Sequence, residues 1–123
     1  MINYKVLIAE DNKLVANVMA QVLSELNIES TITFTGVDAL IAYNAEYFDM
    51  VLLDIMMPYM SGFEVSKEIR KLDLNIPIIT LTSLDFEEVK DNISACGINQ
   101  YINKPSNLRD LKVLLQDYFK LTA

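Results

Sequence analysis

Residues 51–62 read VLLDIMMPYMSG and place one acidic residue, Asp54, inside an otherwise apolar run. Three aliphatic residues precede this aspartate, as in a strand that is buried on both faces of a parallel sheet. An ionised carboxylate is unfavourable in such surroundings unless another group pairs with it or uses it. The segment therefore predicts a core strand whose last residue reaches a polar site at the edge of the sheet.

Short β-rich runs and longer helical stretches alternate along the rest of the chain. The β-rich runs are predicted at residues 5–9, 30–34, 50–53, 77–81 and 100–102. The stretches between them repeat apolar residues every three or four positions, which is the spacing of amphipathic helices. Five β-α units in succession predict a parallel sheet that is covered by helices on both faces.

Individual residues mark the predicted helices. A long apolar stripe indicates the first helix: Leu14, Val15, Val18, Met19, Val22, Leu23 and Leu26. The second helix is expected to open at Gly36, and Ser61 is a candidate cap for the third. Asp85 is a candidate cap for the fourth helix, which we expect to end near Gly97. A shorter apolar stripe indicates the last helix: Leu108, Leu111, Leu115 and Tyr118.

The composition limits the classes of function. The chain of 123 residues suits a single domain over residues 1–123, with 52% hydrophobic residues to build its core. Ten Lys and Arg residues against 17 Asp and Glu residues give a net charge of −7, which argues against nucleic-acid binding. No apolar stretch approaches the ~20 residues of a membrane-spanning helix, and the first residues do not resemble a signal peptide. We therefore expect a cytoplasmic protein without membrane contact.

Two residue types restrict the chemistry further. Cys96 is the single cysteine, so no disulfide can form within the chain. The sequence contains no histidine, which excludes histidine-based acid–base catalysis and histidine metal ligands. We therefore expect any phosphohistidine that takes part to be supplied by another protein.

Polar residues stand where the predicted strands end. In an open parallel sheet, binding sites form beyond the carboxyl ends of the strands. Those ends supply three carboxylates, two hydroxyls and one ammonium group: Glu10, Asp11, Asp54, Thr82, Ser83 and Lys104. Three neighbouring carboxylates repel one another, and a hard divalent cation such as Mg²⁺ relieves that repulsion. If a phosphoryl donor reaches the site, Asp54 can serve as the nucleophile while Lys104 and Thr82 contact the phosphoryl oxygens.

Four motifs in order along the chain resemble the receiver domain of two-component response regulators. They are VLIAEDN at residues 6–12, VLLDIMMPYMSGFEV at 51–65, IPIITLTS at 76–83 and YINKP at 101–105. The resemblance covers nearly the whole chain. It implies a flavodoxin-like (βα)₅ fold, a three-layer sandwich around a five-stranded parallel sheet with strand order 2-1-3-4-5.

The resemblance also implies a metal site. Glu10 and Asp11 match the acidic pair of the family, in which the second residue usually binds Mg²⁺ directly and the first often acts through water. Asp54 matches the phosphoacceptor, and Met56 matches the position whose main-chain carbonyl completes the metal site. Mg²⁺ is the implied cofactor, and Mn²⁺ is expected to substitute for it.

Further residues at the strand ends take roles from the same resemblance. Thr82 matches the hydroxyl that follows the phosphoryl group, and Lys104 matches the lysine of the family. The peptide bond between Lys104 and Pro105 is cis in this family, which would help to aim the lysine. Tyr101 matches the aromatic switch position, where the ring turns inward as the threonine moves.

The implied function is that of a phosphoacceptor in a two-component phosphorelay. The donor would be a histidine kinase or a histidine phosphotransfer domain, and a downstream protein would bind the surface of the fourth helix, fifth strand and fifth helix. Such a domain assists its own phosphorylation and dephosphorylation but is classed as a signalling protein rather than an enzyme. The sequence leaves open whether the receiver is free-standing or part of a longer protein, and the AEDN segment favours hybrid kinases only weakly.

Several alternative interpretations stay open at this point. An aspartate-nucleophile phosphatase also forms an aspartyl phosphate, but such enzymes carry a second aspartate where this chain has Met56. A flavodoxin-like flavin carrier would need a hydroxyl- and glycine-rich first loop in place of EDNKLV. A receiver-like binding module that is never phosphorylated would not need the complete set of Asp54, Thr82 and Lys104. Taken singly, the acids could cap helices, Thr82 and Ser83 could be ordinary strand-end hydroxyls, and Lys104 could face solvent. Tyr101 could simply pack in the core with its hydroxyl at the surface.

Overall fold

A computed structural model describes residues 3–104 and 108–121 of the chain. Five strands and five helices alternate strictly along these residues. The strands are β1 (Lys5–Ala9), β2 (Glu29–Thr33), β3 (Met50–Leu53), β4 (Ile78–Thr82) and β5 (Gln100–Asn103). The helices are α1 (Lys13–Glu25), α2 (Gly36–Ala45), α3 (Gly62–Arg70), α4 (Phe86–Ala95) and α5 (Leu108–Phe119).

The strands form one parallel sheet in the order β2-β1-β3-β4-β5. This order confirms the predicted flavodoxin-like topology. The predicted strand bounds differ from the observed ones by a residue or so, because β2 begins and ends one residue earlier and β4 one residue later than predicted. β5 also continues to Asn103, which brings one more residue into the sheet edge than the sequence pattern indicated.

The central strands are buried on both faces, as their continuous aliphatic sequences predict. Every residue of β3 and of β4 is buried, and so are four of the five residues of β1. The two faces of the sheet pack against separate hydrophobic clusters. One cluster contains Leu7, Val51 and Ile78, and the other contains Ile8, Leu52 and Ile79, so alternate residues of each strand face opposite helix layers. The sheet is therefore the middle layer of three.

The apolar stripe of α1 is narrower than the sequence pattern predicted. Ala16, Met19 and Leu23 form its buried face, whereas Leu14 is 74% exposed. Val18 is also exposed. At about 100° per residue, these two side chains lie roughly opposite Ala16, so they point away from the sheet. The assignment of Leu14 and Val18 to the core face was therefore wrong.

The helix ends confirm Ser61 as a cap and correct the expectation for Asp85. The Ser61 hydroxyl accepts from the Glu64 N–H at 3.3 Å, and the Glu64 side chain accepts in return from the Ser61 N–H. Asp85 occupies the residue before α4, but its side chain makes no capping hydrogen bond to any residue that the structure describes. Gly97 ends the α4 segment with a φ of +75°, a conformation that suits glycine.

The end of α4 is tied to α3 by side-chain hydrogen bonds. The Arg70 guanidinium donates to the Gly97 carbonyl at 2.9 Å and to the Asn99 side chain at 2.9 Å. The buried Ser66 hydroxyl donates to the Cys96 carbonyl at 2.7 Å. These bonds satisfy carbonyls that the helix end leaves free and hold the C-terminal end of α4 against its neighbour.

In α5, Leu111 and Leu115 are fully buried, as predicted. Tyr118 is 38% exposed, so it does not continue the buried stripe. The neighbouring Phe119 instead stacks on Tyr4 with ring centroids 4.2 Å apart. Within the described residues, none of the helices is both long enough and apolar enough to cross a membrane.

Candidate functional site

Three carboxylates meet at the carboxyl edge of the sheet. Ala9 pairs with Leu53 in the β1–β3 register, so Glu10 and Asp54 leave the sheet at the same level. Carboxylate oxygens of Glu10, Asp11 and Asp54 all lie within 4.8 Å of one another. Asp54 is 6% exposed and Glu10 is 1% exposed, whereas Asp11 faces solvent. The structure thus brings together the three acids that the sequence placed at strand ends.

Lys104 lies against the two buried acids. Its ammonium group donates to a carboxylate oxygen of Glu10, and its Nζ lies 3.5 Å from Oδ2 of Asp54. The second carboxylate oxygen of Glu10 accepts from the Asn12 N–H at 3.0 Å. One lysine therefore neutralises part of the charge of a pair that would otherwise be buried without a counter-ion.

The surroundings change the protonation of Asp54. Burial raises the pKa of this carboxyl group, and the nearby charge of Glu10 raises it further. The ammonium of Lys104 and the Met56 N–H, 3.4 Å from Oδ1 of Asp54, act in the opposite direction. The net result is a pKa of about 6, so Asp54 is largely ionised at neutral pH but only weakly stabilised as an anion.

The donor set fits a hard divalent cation. Carboxylate oxygens are ligands that Mg²⁺ prefers, and the exposed Asp11 leaves room for the water ligands that this ion usually keeps. The side chain of Met56 is 57% exposed, and its N–H faces Asp54. The expected contribution of the Met56 carbonyl to a metal site stays a prediction.

Gly62 allows the start of α3 to pass close to the end of β3. A Cβ atom at this position would lie 2.2 Å from the main-chain oxygen of Asp54. The Gly62 N–H donates to the Ile55 carbonyl at 2.9 Å. The glycine in the opening motif therefore determines how tightly the backbone is wrapped around the buried aspartate.

Thr82 is fully buried at the end of β4. Its hydroxyl oxygen accepts from the Leu84 N–H at 3.2 Å, and its carbonyl accepts from the Lys104 N–H at 2.6 Å. The ends of β4 and β5 are thereby joined next to the acidic cluster. Among the described residues the Thr82 hydroxyl donates no hydrogen bond. Its expected contact with a phosphoryl oxygen stays a prediction.

Tyr101 is half-buried rather than free at the surface. Its ring packs against the hydrophobic cluster that contains Leu7, Val51 and Ile78. It also meets the ring of Phe86 edge-on, with centroids 5.4 Å apart. Its hydroxyl donates to the carbonyl of Leu84, which lies two residues after Thr82 in the chain. This position fits either a core tyrosine or a switch residue, and the switching role stays a prediction. Pro105, which forms the predicted cis peptide bond with Lys104, lies outside the described residues.

Asn103 is a residue of this region to which the sequence analysis assigned no role. Its side-chain amide donates to the Leu84 carbonyl at 3.1 Å and to the Tyr101 hydroxyl at 2.6 Å. The alternation of side chains in a strand places residues 101 and 103 on the same face, which is a signal that the sequence does contain. Their common partner in the loop after β4 becomes visible only in the folded chain.

The family model of the response regulator receiver domain matches residues 6–116. The chain belongs to this family. The match includes β2 to β5, all of β1 except Lys5, and the acidic cluster at the carboxyl ends of the strands. This match confirms the prediction that the chain is a receiver domain.

Curated relatives of the chain are longer proteins. Hybrid signal transduction histidine kinase G of Dictyostelium discoideum is 31% identical over 96% of this chain and 4% of its own length. The sensory transduction protein RegX3 of Mycolicibacterium smegmatis is 36% identical over 86% of this chain and 46% of its own length. The chain therefore spans less than half of the length of either relative.

Solved receiver domains have the same fold. The receiver domain of the Francisella response regulator 1452 is 33% identical, with a TM-score of 0.87 over 96% of this chain and 98% of that one. The receiver domain of the sensor histidine kinase PA1611 from Pseudomonas aeruginosa PAO1 is 26% identical, with a TM-score of 0.86 over 97% of this chain and 99% of that one. The latter structure is described as having a magnesium ion coordinated in its active-site cleft.

Proposed function

We propose that this domain accepts a phosphoryl group on Asp54 from a phosphohistidine of a histidine kinase or a histidine phosphotransfer domain. The observation that carries the proposal is the position of Asp54. Its carboxylate is buried at the end of β3, within 4.8 Å of two other carboxylates and 3.5 Å from the Lys104 ammonium. A purely structural acid would be satisfied by one partner and would not need a buried like charge beside it.

Each side chain of the site has a definite task in the proposed transfer. A carboxylate oxygen of Asp54 forms the new P–O bond as the P–N bond of the donor breaks, and the imidazole keeps the bonding electron pair. Lys104 offsets the charge on the phosphoryl oxygens, and the Thr82 hydroxyl donates its proton to one of them. At pH 7 Asp54 is ionised, because its pKa is about 6, and it is therefore ready to act as a nucleophile.

The cofactor in this proposal is Mg²⁺. Glu10, Asp11 and Asp54 would hold it together with the main-chain carbonyl of Met56, and it would supply positive charge opposite the transferred group. The magnesium ion described for the similar Pseudomonas aeruginosa domain supports this assignment. Mn²⁺ accepts the same oxygen ligands and would substitute for Mg²⁺.

The proposed partners follow from the same role. A phosphohistidine protein would approach the carboxyl edge of the sheet, and a downstream protein would bind the α4–β5–α5 surface once the domain is phosphorylated. Hybrid histidine kinases and regulatory proteins are both among the curated relatives, so either kind of longer protein could contain such a domain. The chain would act in the cytoplasm and would bind neither nucleic acid nor membrane.

A phosphatase is the less favoured second candidate. The residue two positions after Asp54 is Met56, whose thioether cannot serve as a general acid or base. The family match and the complete set of Asp54, Thr82 and Lys104 favour a phosphoacceptor over both a phosphatase and an unphosphorylated binding module.

The proposal is tested by intact-mass spectrometry after incubation with acetyl phosphate and Mg²⁺. We expect one added phosphoryl group, no adduct when the metal is chelated, and no adduct in Asp54→Asn. Asp85→Asn is the matched control, because Asp85 precedes α4 at the same edge of the sheet and its side chain caps no helix among the residues that the structure describes. An adduct that persists in Asp54→Asn would contradict the assignment.

A further inference from the structure

Two side-chain hydrogen bonds converge on the carbonyl of Leu84, which follows β4 by two positions, and a third joins their two donors. The Tyr101 hydroxyl donates to the Leu84 carbonyl. The Asn103 amide donates to the same carbonyl at 3.1 Å and to the Tyr101 hydroxyl oxygen at 2.6 Å. Tyr101, Asn103 and the Leu84 carbonyl thus form a closed ring of hydrogen bonds, which we call the Leu84 ring.

The chemistry of the Leu84 ring fixes which atom of the Asn103 side chain faces it. A carbonyl oxygen can only accept, so the atom next to the Leu84 carbonyl must be the amide nitrogen. The phenol has a single proton, which it donates to that carbonyl, so its oxygen must accept from Asn103. All three groups are therefore satisfied in one orientation of the amide. In the flipped orientation, the Asn103 side-chain oxygen would face the Leu84 carbonyl oxygen and the Tyr101 hydroxyl oxygen.

The Leu84 ring is connected to the proposed phosphoryl site through the backbone of one residue. The carbonyl of Leu84 belongs to the Leu84 ring, and the N–H of the same residue donates to the Thr82 hydroxyl at 3.2 Å. Fixing the Leu84 carbonyl restricts the backbone angles of Leu84 and so holds its N–H on Thr82. The next residue after Asn103 is Lys104, whose N–H is bound to the Thr82 carbonyl at 2.6 Å.

The geometry points to Asn103 as a positioning residue for the proposed phosphoryl transfer. Its amide holds Tyr101 on the Leu84 carbonyl and, through Leu84, keeps the Thr82 hydroxyl oriented with its proton free for a phosphoryl oxygen. This role rests on the proposed function and adds to it a residue that controls the order of the loop between β4 and α4. Asn103 is exposed, so its side chain is not needed for the hydrophobic core.

Hydrogen exchange on the unphosphorylated protein tests this role directly. In Asn103→Ala, the Leu84 amide is expected to exchange about fivefold faster, the change that corresponds to the loss of one net hydrogen bond. Gln100→Ala is the matched control: it removes an exposed carboxamide from the same strand, on the opposite face, and should leave Leu84 exchange unchanged. Equal exchange in wild type and Asn103→Ala would overturn the role of Asn103.

A double-mutant cycle in the phosphorylation assay then separates positioning from general destabilisation. With acetyl phosphate and Mg²⁺, we expect Asn103→Ala to slow adduct formation about fivefold, Tyr101→Phe to slow it similarly, and the double variant to show no additional loss. Additive losses, or an equal loss in Gln100→Ala, would overturn the proposal. If wild type forms no adduct, the proposed function fails, whereas the exchange result at Leu84 still decides whether Asn103 orders this loop.

Discussion

At the scale of single residues, the protonation of Asp54 ties stability to pH. Its pKa is raised to about 6 in the folded chain, against an ordinary value of 3.8, so between these values the folded state binds more protons than the unfolded state. Stability from this residue is therefore present below pH 4 and is lost as the pH rises through 6. Relative to Asp54→Asn, we expect metal-free wild type to lose about 1–2 kcal/mol across this window, discounted for residual hydration.

Urea denaturation of both proteins at pH 4 and pH 7 in chelator measures this difference. The comparison with Asp54→Asn is essential, because Asp73 has a lowered pKa and contributes in the opposite direction. An equal change in the free energy of unfolding between pH 4 and pH 7 in both proteins would show that Asp54 is not the group responsible.

Tyr59 offers a second test at this scale. It has a φ of +69°, a region that is unfavourable for a residue with a bulky side chain, and its side chain is 96% exposed. Because the side chain buries almost nothing, Tyr59→Asn should stabilise the fold by about 0.5–1 kcal/mol through the better tolerance of Asn for this conformation. Thermal unfolding of the two proteins at equal pH measures the gain, and a loss of stability would mean that the tyrosine makes contacts that its exposure conceals.

At the scale of elements, the starts of α3 and α4 differ in a way that can be measured. Ser61 forms a reciprocal capping box with Glu64, whereas the Asp85 side chain makes no capping bond within the described part of the chain. Ser61→Ala should therefore lower the free energy of unfolding by about 1 kcal/mol. Asp85→Ala removes only the favourable charge at a helix start and should cost about 0.5 kcal/mol or less. Equal losses in chemical denaturation would indicate that the capping box contributes little.

At the scale of the whole molecule, a metal ion should stabilise the fold, since the carboxylates that follow β1 and β3 come together only when the sheet is formed. At a concentration of one hundred times its dissociation constant, Mg²⁺ is expected to raise the free energy of unfolding by about 2.7 kcal/mol. Asp54→Asn should lose most of this gain, and chelator should reverse it. Urea denaturation with and without Mg²⁺ measures this gain. An equal gain in the variant would show that Asp54 does not bind the metal.

The sequence pattern predicted the parallel sheet and the meeting of the acids, because both follow from the alternation of β and α segments and from the rule that parallel strands end at one edge. The strand order was predicted only from the resemblance to receiver domains. The pattern did not predict that Leu14 would be exposed, since an apolar stripe does not reveal how wide a face the sheet covers. It also gave no partner for Asn103, because side-chain bonds to a loop carbonyl 19 residues away depend on the folded path of that loop. Periodic features were therefore predictable, and single polar contacts between distant segments were not.

The anchoring of α4 has a mechanical consequence. Its last residues are fastened to α3 through Arg70 and Ser66, while its first residue, Phe86, follows an Asp85 side chain without a capping bond. A helix held in this way cannot slide along the sheet without breaking the bonds at Cys96 and Gly97. We therefore expect any displacement of α4 to be larger at its first turn, which follows the loop after Thr82, than at the anchored end beside Cys96 and Gly97.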